Sequence, residues 1–187
     1  MDLAIKSHFA DLKKPFIVLL VIDPKVYQSG VSSLVSFLLR EKKMSGIYLT
    51  VNKPSVKYDE VFRSSGVNTD ELFFIDTISK MANPMVADNE RVKYIATPNS
   101  LTQIAIAITT ILRKPVTDRV FIVDSISTLL VYNKPDTVSK FLHFLEGKIS
   151  MTNTSAVFIA LKGETETEVQ RTISQFVDKT IELKYVN

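Results

Sequence analysis

This sequence predicts an α/β fold of three layers, a mostly parallel central sheet with helices on both faces. Two observations carry that expectation. Apolar runs of strand length recur at residues 16–22, 47–51, 72–75, 119–123 and 156–161. Helical patterns lie between them, and strands that alternate with helices at this spacing pair in parallel through crossover connections.

The chain opens with a short helix within residues 1–14, with a weak apolar face of Leu3, Phe9 and Leu12; Pro15 marks the entry to the first strand. A turn-rich bend runs from Asp23 to Gly30, and a helical pattern begins at Ser32. Leu34, Val35, Leu38 and Leu39 share one side of that helix, and Arg40, Glu41, Lys42 and Lys43 close it. Gly46 lies just past its end. The second strand stops at Asn52-Lys53-Pro54, and a short helix over residues 55–65 ends at Gly66, the position of a C-terminal cap.

The third strand terminates at Asp76. From residue 77 to 97 the periodicity is lost, and Asn83-Pro84 and Asp88-Asn89 are turn signals. This is the longest irregular stretch, of the kind that is often functional or mobile. Next comes a helix capped by Asn99 or Ser100, with Leu101, Ile104, Ala105, Ile108, Ile111 and Leu112 at helical spacing. Ile106 and Ala107 make its other side apolar too; packing inside the domain explains this, and a subunit contact is the alternative.

The fourth strand ends at Asp124. A helix over residues 136–149 aligns Val138, Phe141, Leu142, Leu145 and Ile149, and residues 163–170 form a polar, acidic connection after the fifth strand. A last strand over 180–186 alternates Ile181, Leu183 and Tyr185 with Glu182 and Lys184, the pattern of a half-exposed edge. The whole chain, residues 1–187, reads as one domain.

Composition narrows the function classes. At 187 residues the chain can bury about 70% of its unfolded surface. With 45% hydrophobic and 23% charged residues it is globular rather than disordered. It has no cysteine, which excludes disulfides, zinc–thiolate sites and thiol nucleophiles and fits the cytoplasm. The opening residues are charged throughout, unlike a signal peptide, and the longest apolar run is about a third of a membrane span. The net charge of +3 is scattered, a mark of solubility more than of nucleic-acid binding. His8 and His143 have no acid at metal-ligand spacing, and there is no G-x-S-x-G elbow.

Chemistry is concentrated in the bend. A nucleotide-binding P-loop, G-x-x-x-x-G-K-[ST], uses glycines to curl backbone N–H groups around phosphate, a lysine for charge and a hydroxyl for Mg²⁺. Laid on this chain the motif reads Lys25-Val26-Tyr27-Gln28-Ser29-Gly30-Val31-Ser32. Gly30 and Ser32 are kept. Lys25 replaces the first glycine and Val31 the phosphate lysine. Asp23, Asp76 and Asp124 all fall at strand ends, where the ligand crevice of a parallel sheet lies. For Asp76 and Asp124 the simplest role is capping the next turn of chain, in DTIS and DSIS.

Order and residues together resemble the RecA/KaiC-type ATPase core over nearly the whole chain. The carriers are the P-loop position, IYLTVNKP, FFIDTIS, IATPNSLTQIAIAITTIL, RVFIVDSISTLL, AVFIALKG and DKTIELKYV. The resemblance makes Asp124 the Walker B aspartate, which with Ser32 would hold Mg²⁺ if a nucleotide binds. The glutamate that prepares the attacking water would fall at Asn52 or Lys53, neither of which is an acid.

A hydrogen bond to a charged group contributes about 1.5–3 kcal/mol, so losing the lysine weakens phosphate binding roughly tenfold to a hundredfold. Hydrolysis suffers more, because placed cations stabilise the transferring phosphoryl group. The expectation is a KaiC-like fold that has lost hydrolysis, with a vestigial or weak ATP/Mg²⁺ site at Lys25, Gly30, Val31, Ser32 and Lys162. It would act as a regulatory or assembly subunit, through self-association or an active RecA/KaiC-like paralogue. The alternative is a weak ATPase in which Lys25 bends into the vacated place. A nucleic-acid-binding module ranks third, since Glu164, Glu166 and Glu168 lie on the loop where RecA-like recombinases meet DNA and would repel its backbone.

Overall fold

The computed structural model describes residues 2–114, 116–163 and 168–185. Its strands are β1 (Ile17–Ile22), β2 (Ser45–Thr50), β3 (Leu72–Asp76), β4 (Val92–Tyr94), β5 (Arg119–Asp124), β6 (Ser155–Leu161) and β7 (Lys179–Leu183). All seven share one sheet in the order β4-β3-β2-β5-β6-β1-β7. Every pairing is parallel, including that of the half-exposed edge strand β7 with β1. The architecture is the three-layer α/β one that the sequence predicts, with a sheet parallel throughout.

Alternation along each strand divides the interior into two cores. Val18, Leu20 and Ile22 of β1 join the core covered by α1 (Asp2–Phe9), α2 (Tyr27–Ser36) and α3 (Ser55–Ser64). Leu19 and Val21 join the opposite core, beneath α5 (Leu101–Leu112), α6 (Ile126–Tyr132), α7 (Pro135–Met151) and α8 (Glu168–Ser174). A four-residue α4 (Ser79–Ala82) comes after β3. Among the described residues no helix is long and apolar enough to cross a membrane.

Several expectations need correcting. The bend after β1 is helical: Pro24–Val26 form a 3₁₀ turn and α2 begins at Tyr27, not at Ser32. Pro24 reads as a break in the sequence, yet its fixed φ suits the first position of a helix. Gly30 is not in a turn either. It lies inside α2, where an added Cβ would stand 3.2 Å from Leu183 Cδ1 and 3.5 Å from Ile22 Cγ2. The glycine lets α2 pass close over β1 and β7.

The irregular stretch of residues 77–97 contains α4 and the edge strand β4, which at three residues is too short to show a period. Two short helices, α6 and α8, also add to the elements that the sequence pattern predicts. Of the acidic connection, Glu164 and Glu166 lie outside the described residues, and Glu168 opens α8.

Candidate functional site

A parallel sheet brings the C-terminal ends of its strands to one edge, and the three aspartates there have three different environments. Asp23 accepts from the Lys25 N–H at 2.9 Å and caps the 3₁₀ turn. Asp76 has no exposed surface, and both its oxygens accept two hydrogen bonds. Its Oδ1 accepts from the N–H groups of Ile78 and Ser79, both at 2.8 Å. Its Oδ2 accepts from the Ser55 N–H at 2.7 Å and the Ser79 hydroxyl at 2.6 Å. One carboxylate thus caps α3 and α4 together. Burial pushes this carboxyl up, but the hydrogen bonds from Ser79, Ser55 and Ile78 outweigh it and hold it below the usual range.

Asp124, the last residue of β5, is also fully buried. The phenol of Tyr27 donates to its Oδ1 and the phenol of Tyr48 to its Oδ2. Asn52 Nδ2 reaches the Tyr27 oxygen at 2.9 Å and Asp124 Oδ1 at 3.4 Å, while Asn52 Oδ1 accepts from the Thr128 hydroxyl. The Thr128 N–H donates to Ser125 Oγ at 3.2 Å. Ser125 is therefore the cap of α6, and the capping role expected of Asp124 is corrected.

The local sequence explains how the cluster assembles. Thr50 is the register partner of Asp124, and Tyr48 lies two residues before it on the same face of β2. The Tyr48 ring packs at centroid distances of 5.0 Å from Tyr58, 5.5 Å from Phe62 and 5.8 Å from Phe74. A buried tyrosine needs a partner for its hydroxyl, and Asp124 supplies one. The Tyr58 hydroxyl is buried in the same cluster and completes no hydrogen bond of good geometry.

Burial pushes the Asp124 carboxyl above its ordinary range, and the Tyr27, Tyr48 and Asn52 donors only partly offset this. Burial and the neighbouring Asp124 push both phenols up as well, so Tyr27 and Tyr48 stay protonated and donating. A carboxyl without exposed surface has no path to a substrate. What this arrangement does is tie together α2, β2, the turn after β2, β5 and α6. Asn52 is one of the two positions, with Lys53, where the resemblance expects an acid; a carboxylate at Asn52 would face Asp124 and repel it.

The other expected site residues have different surroundings. Lys25 is exposed, with its ammonium 5.3 Å from the centroid of the Tyr185 ring. Val31 is 1% exposed and belongs to the core under α2. Ser32 is half-buried and lines a groove between α2 and α3, which Lys25 lines as well. Lys162 is exposed, its backbone N–H donating to Ile22 O at 2.9 Å. Among the described residues, no hydrogen bond or ion pair joins Lys25, Ser32 or Lys162 to Asp124. A Mg²⁺–triphosphate does not fit this arrangement: both Asp124 oxygens accept from phenols, Val31 is packed in the core, and residues 27–36 form a helix rather than a loop.

Sequence reasoning named Asp124 and Asn52, and named Tyr27 as a residue of the bend that could fill the nucleotide space, but missed Tyr48 and Thr128. The available signal was Tyr48 in the apolar strand IYLT, a hydroxyl that burial obliges to find an acceptor.

Comparison with known proteins agrees with the fold. The KaiC-like protein PH0186 of the hyperthermophilic archaeon Pyrococcus horikoshii OT3 superposes with a TM-score of 0.68 at 10% identity, over 94% of this chain and 76% of that one. The uncharacterized protein PH0321 of Pyrococcus horikoshii, solved in complex with an unknown peptide, gives a TM-score of 0.66 at 14% identity, over 96% of this chain and 82% of that one. No curated protein matches the sequence. A family of unknown function, DUF7504, matches residues 26–183. That span holds α2, the tyrosine-capped Asp124 and every strand but β1, so the chain belongs to the DUF7504 family, here carried on a RecA/KaiC-like fold.

Proposed function

We propose that this KaiC-like ATPase-fold protein has lost ATP hydrolysis and works as a regulatory or assembly subunit. It does so by self-association or by pairing with an active RecA/KaiC-like paralogue. The observation that supports this reading is the state of Asp124, buried beneath the phenols of Tyr27 and Tyr48 at the position the resemblance gives to the Mg²⁺ ligand. A helix supplies one of those phenols from the segment that a P-loop would use for phosphate. The peptide bound by PH0321 is in keeping with a partner-binding use of this fold. A chain without cysteine suits the reducing cytoplasm, where we place it.

The test is thermal unfolding with and without Mg·ATP, together with phosphate release. A ligand that binds only the folded state raises its stability by mass action. The expected result is no shift and no phosphate. A shift that is lost in Lys25→Ala, or phosphate release that is lost in Asp124→Asn, would establish the weak-ATPase alternative instead.

A further inference from the structure

The two apolar sides of α5 divide in the fold. Ala107 turns into the core at 6% exposure, whereas Ile106 is 62% exposed. Ile106 lines a groove of about 510 Å³ between α5 and the sheet edge formed by β3 and β4. Phe73 and Ile111, both half-buried, continue its apolar floor. Three lysines, Lys80, Lys93 and Lys114, also line it, and no described acidic residue does. Lys93 pairs with Asp88, whose carboxyl also feels the charge of Lys80; Lys114 forms no ion pair among the described residues.

The open edge of β4 restricts how a partner can engage. The Val92 N–H donates to Asn89 Oδ1 at 2.9 Å and the Tyr94 N–H to Asp88 Oδ1 at 2.8 Å. Added strands bind through such free edge amides, and here both are taken. Recognition is left to side chains, in an apolar trough beside α5 with cations around it. That is the mode by which an amphipathic helix lies in a groove.

We infer that this groove docks an acidic amphipathic helix of another polypeptide, its apolar stripe on Ile106, Phe73 and Ile111 and its carboxylates on Lys80, Lys93 and Lys114. The inference rests on the reading of the chain as a binding subunit and names the partner's chemistry. Charge complementarity selects the partner, and apolar burial at Ile106 holds it.

The experiment pans a library of helical peptides, about 12 residues long to match α5, against the full chain, with counter-selection on Ile106→Asp. The expected winners carry an i, i+3/i+4, i+7 apolar stripe flanked by Asp or Glu. Measured by fluorescence anisotropy, a winning peptide should weaken about tenfold or more on Ile106→Asp and on Lys80→Glu/Lys114→Glu. Its Lys-for-acid counterpart should bind the charge-reversed variant and not the wild type. These side chains are half-buried or exposed, so unchanged circular dichroism and melting check that the variants fold. Winners without acidic residues, or no winner that distinguishes wild type from Ile106→Asp, overturn the inference. So does a self-association seen by sedimentation and abolished by Ile106→Asp, since a second copy would then fill the groove. Nucleotide binding is read separately: a Mg·ATP shift removes the non-hydrolysing reading and leaves the peptide data standing.

Discussion

Tyr27, the first residue of α2, donates its phenolic hydrogen to Asp124, the last residue of β5, across 97 residues of sequence. The contact exists because helix begins at Tyr27 and carries that side chain to the strand end. Tyr48 holds the other carboxylate oxygen, so the bond belongs to a network buried between sheet and helix. Removing one member of such a network leaves the others unsatisfied.

Tyr27→Phe should therefore destabilise the protein by about 1–3 kcal/mol, with Asn52 Nδ2 left 3.4 Å from Asp124 Oδ1. Urea unfolding measures this through a lower midpoint at unchanged slope. A variant as stable as the wild type would show that the phenol contributes nothing to the fold.

The two buried aspartates should respond to pH with opposite signs. The Asp124 carboxyl is raised by burial, so the folded chain holds that proton more tightly than the unfolded chain. Its contribution to stability is greatest below the ordinary carboxylate pKa and is lost as pH rises through the raised value. Asp124→Asn, which has no charge to bury, should gain on the wild type between about pH 4 and pH 7. Denaturation curves across that range give the slope; a gap independent of pH would contradict the raised carboxyl.

Asp76 is held low despite its burial, because hydrogen bonds from Ser79, Ser55 and Ile78 favour the charged form. Its contribution is present above the ordinary carboxylate pKa and is lost as pH falls through the lowered value. Asp76→Asn should cost about 2–3 kcal/mol near neutrality, since an amide nitrogen cannot accept from the Ser55 N–H or the Ser79 hydroxyl. The gap from wild type should close toward acid, in contrast to Asp124→Asn.

Gly30 offers a test of its packing role. Alanine in a helix interior gains about 1 kcal/mol over glycine, but the added Cβ at 3.2 Å from Leu183 Cδ1 needs that flexible end to give way. Gly30→Ala should stay within about 1 kcal/mol of the wild type. Gly30→Val should lose about 1–3 kcal/mol as α2 is pushed off β1 and β7. Thermal melts of the pair decide it; equal stability would mean that the helix has room to spare.

The apolar runs of β1, β2, β3, β5 and β6 and the periodicity of α5 and α7 were legible because burial on a sheet or helix face imposes a period on neighbouring residues. Asp76 as a cap was legible for the same reason, its partners lying within three residues except for Ser55. β4, α6 and α8 were too short to carry a period. The bend misled because Pro24 and Gly30 look the same whether they break a helix, begin it, or let it pack closely. By itself the sequence determined the α/β class with a mostly parallel sheet and the aspartates at the strand ends. Only the tertiary structure decided that Asp124 is shut away under Tyr27 and Tyr48, and that Ile106 faces a lysine-lined groove. Those relationships join residues far apart in the chain, and contact geometry between distant segments leaves no periodic trace in the amino-acid order.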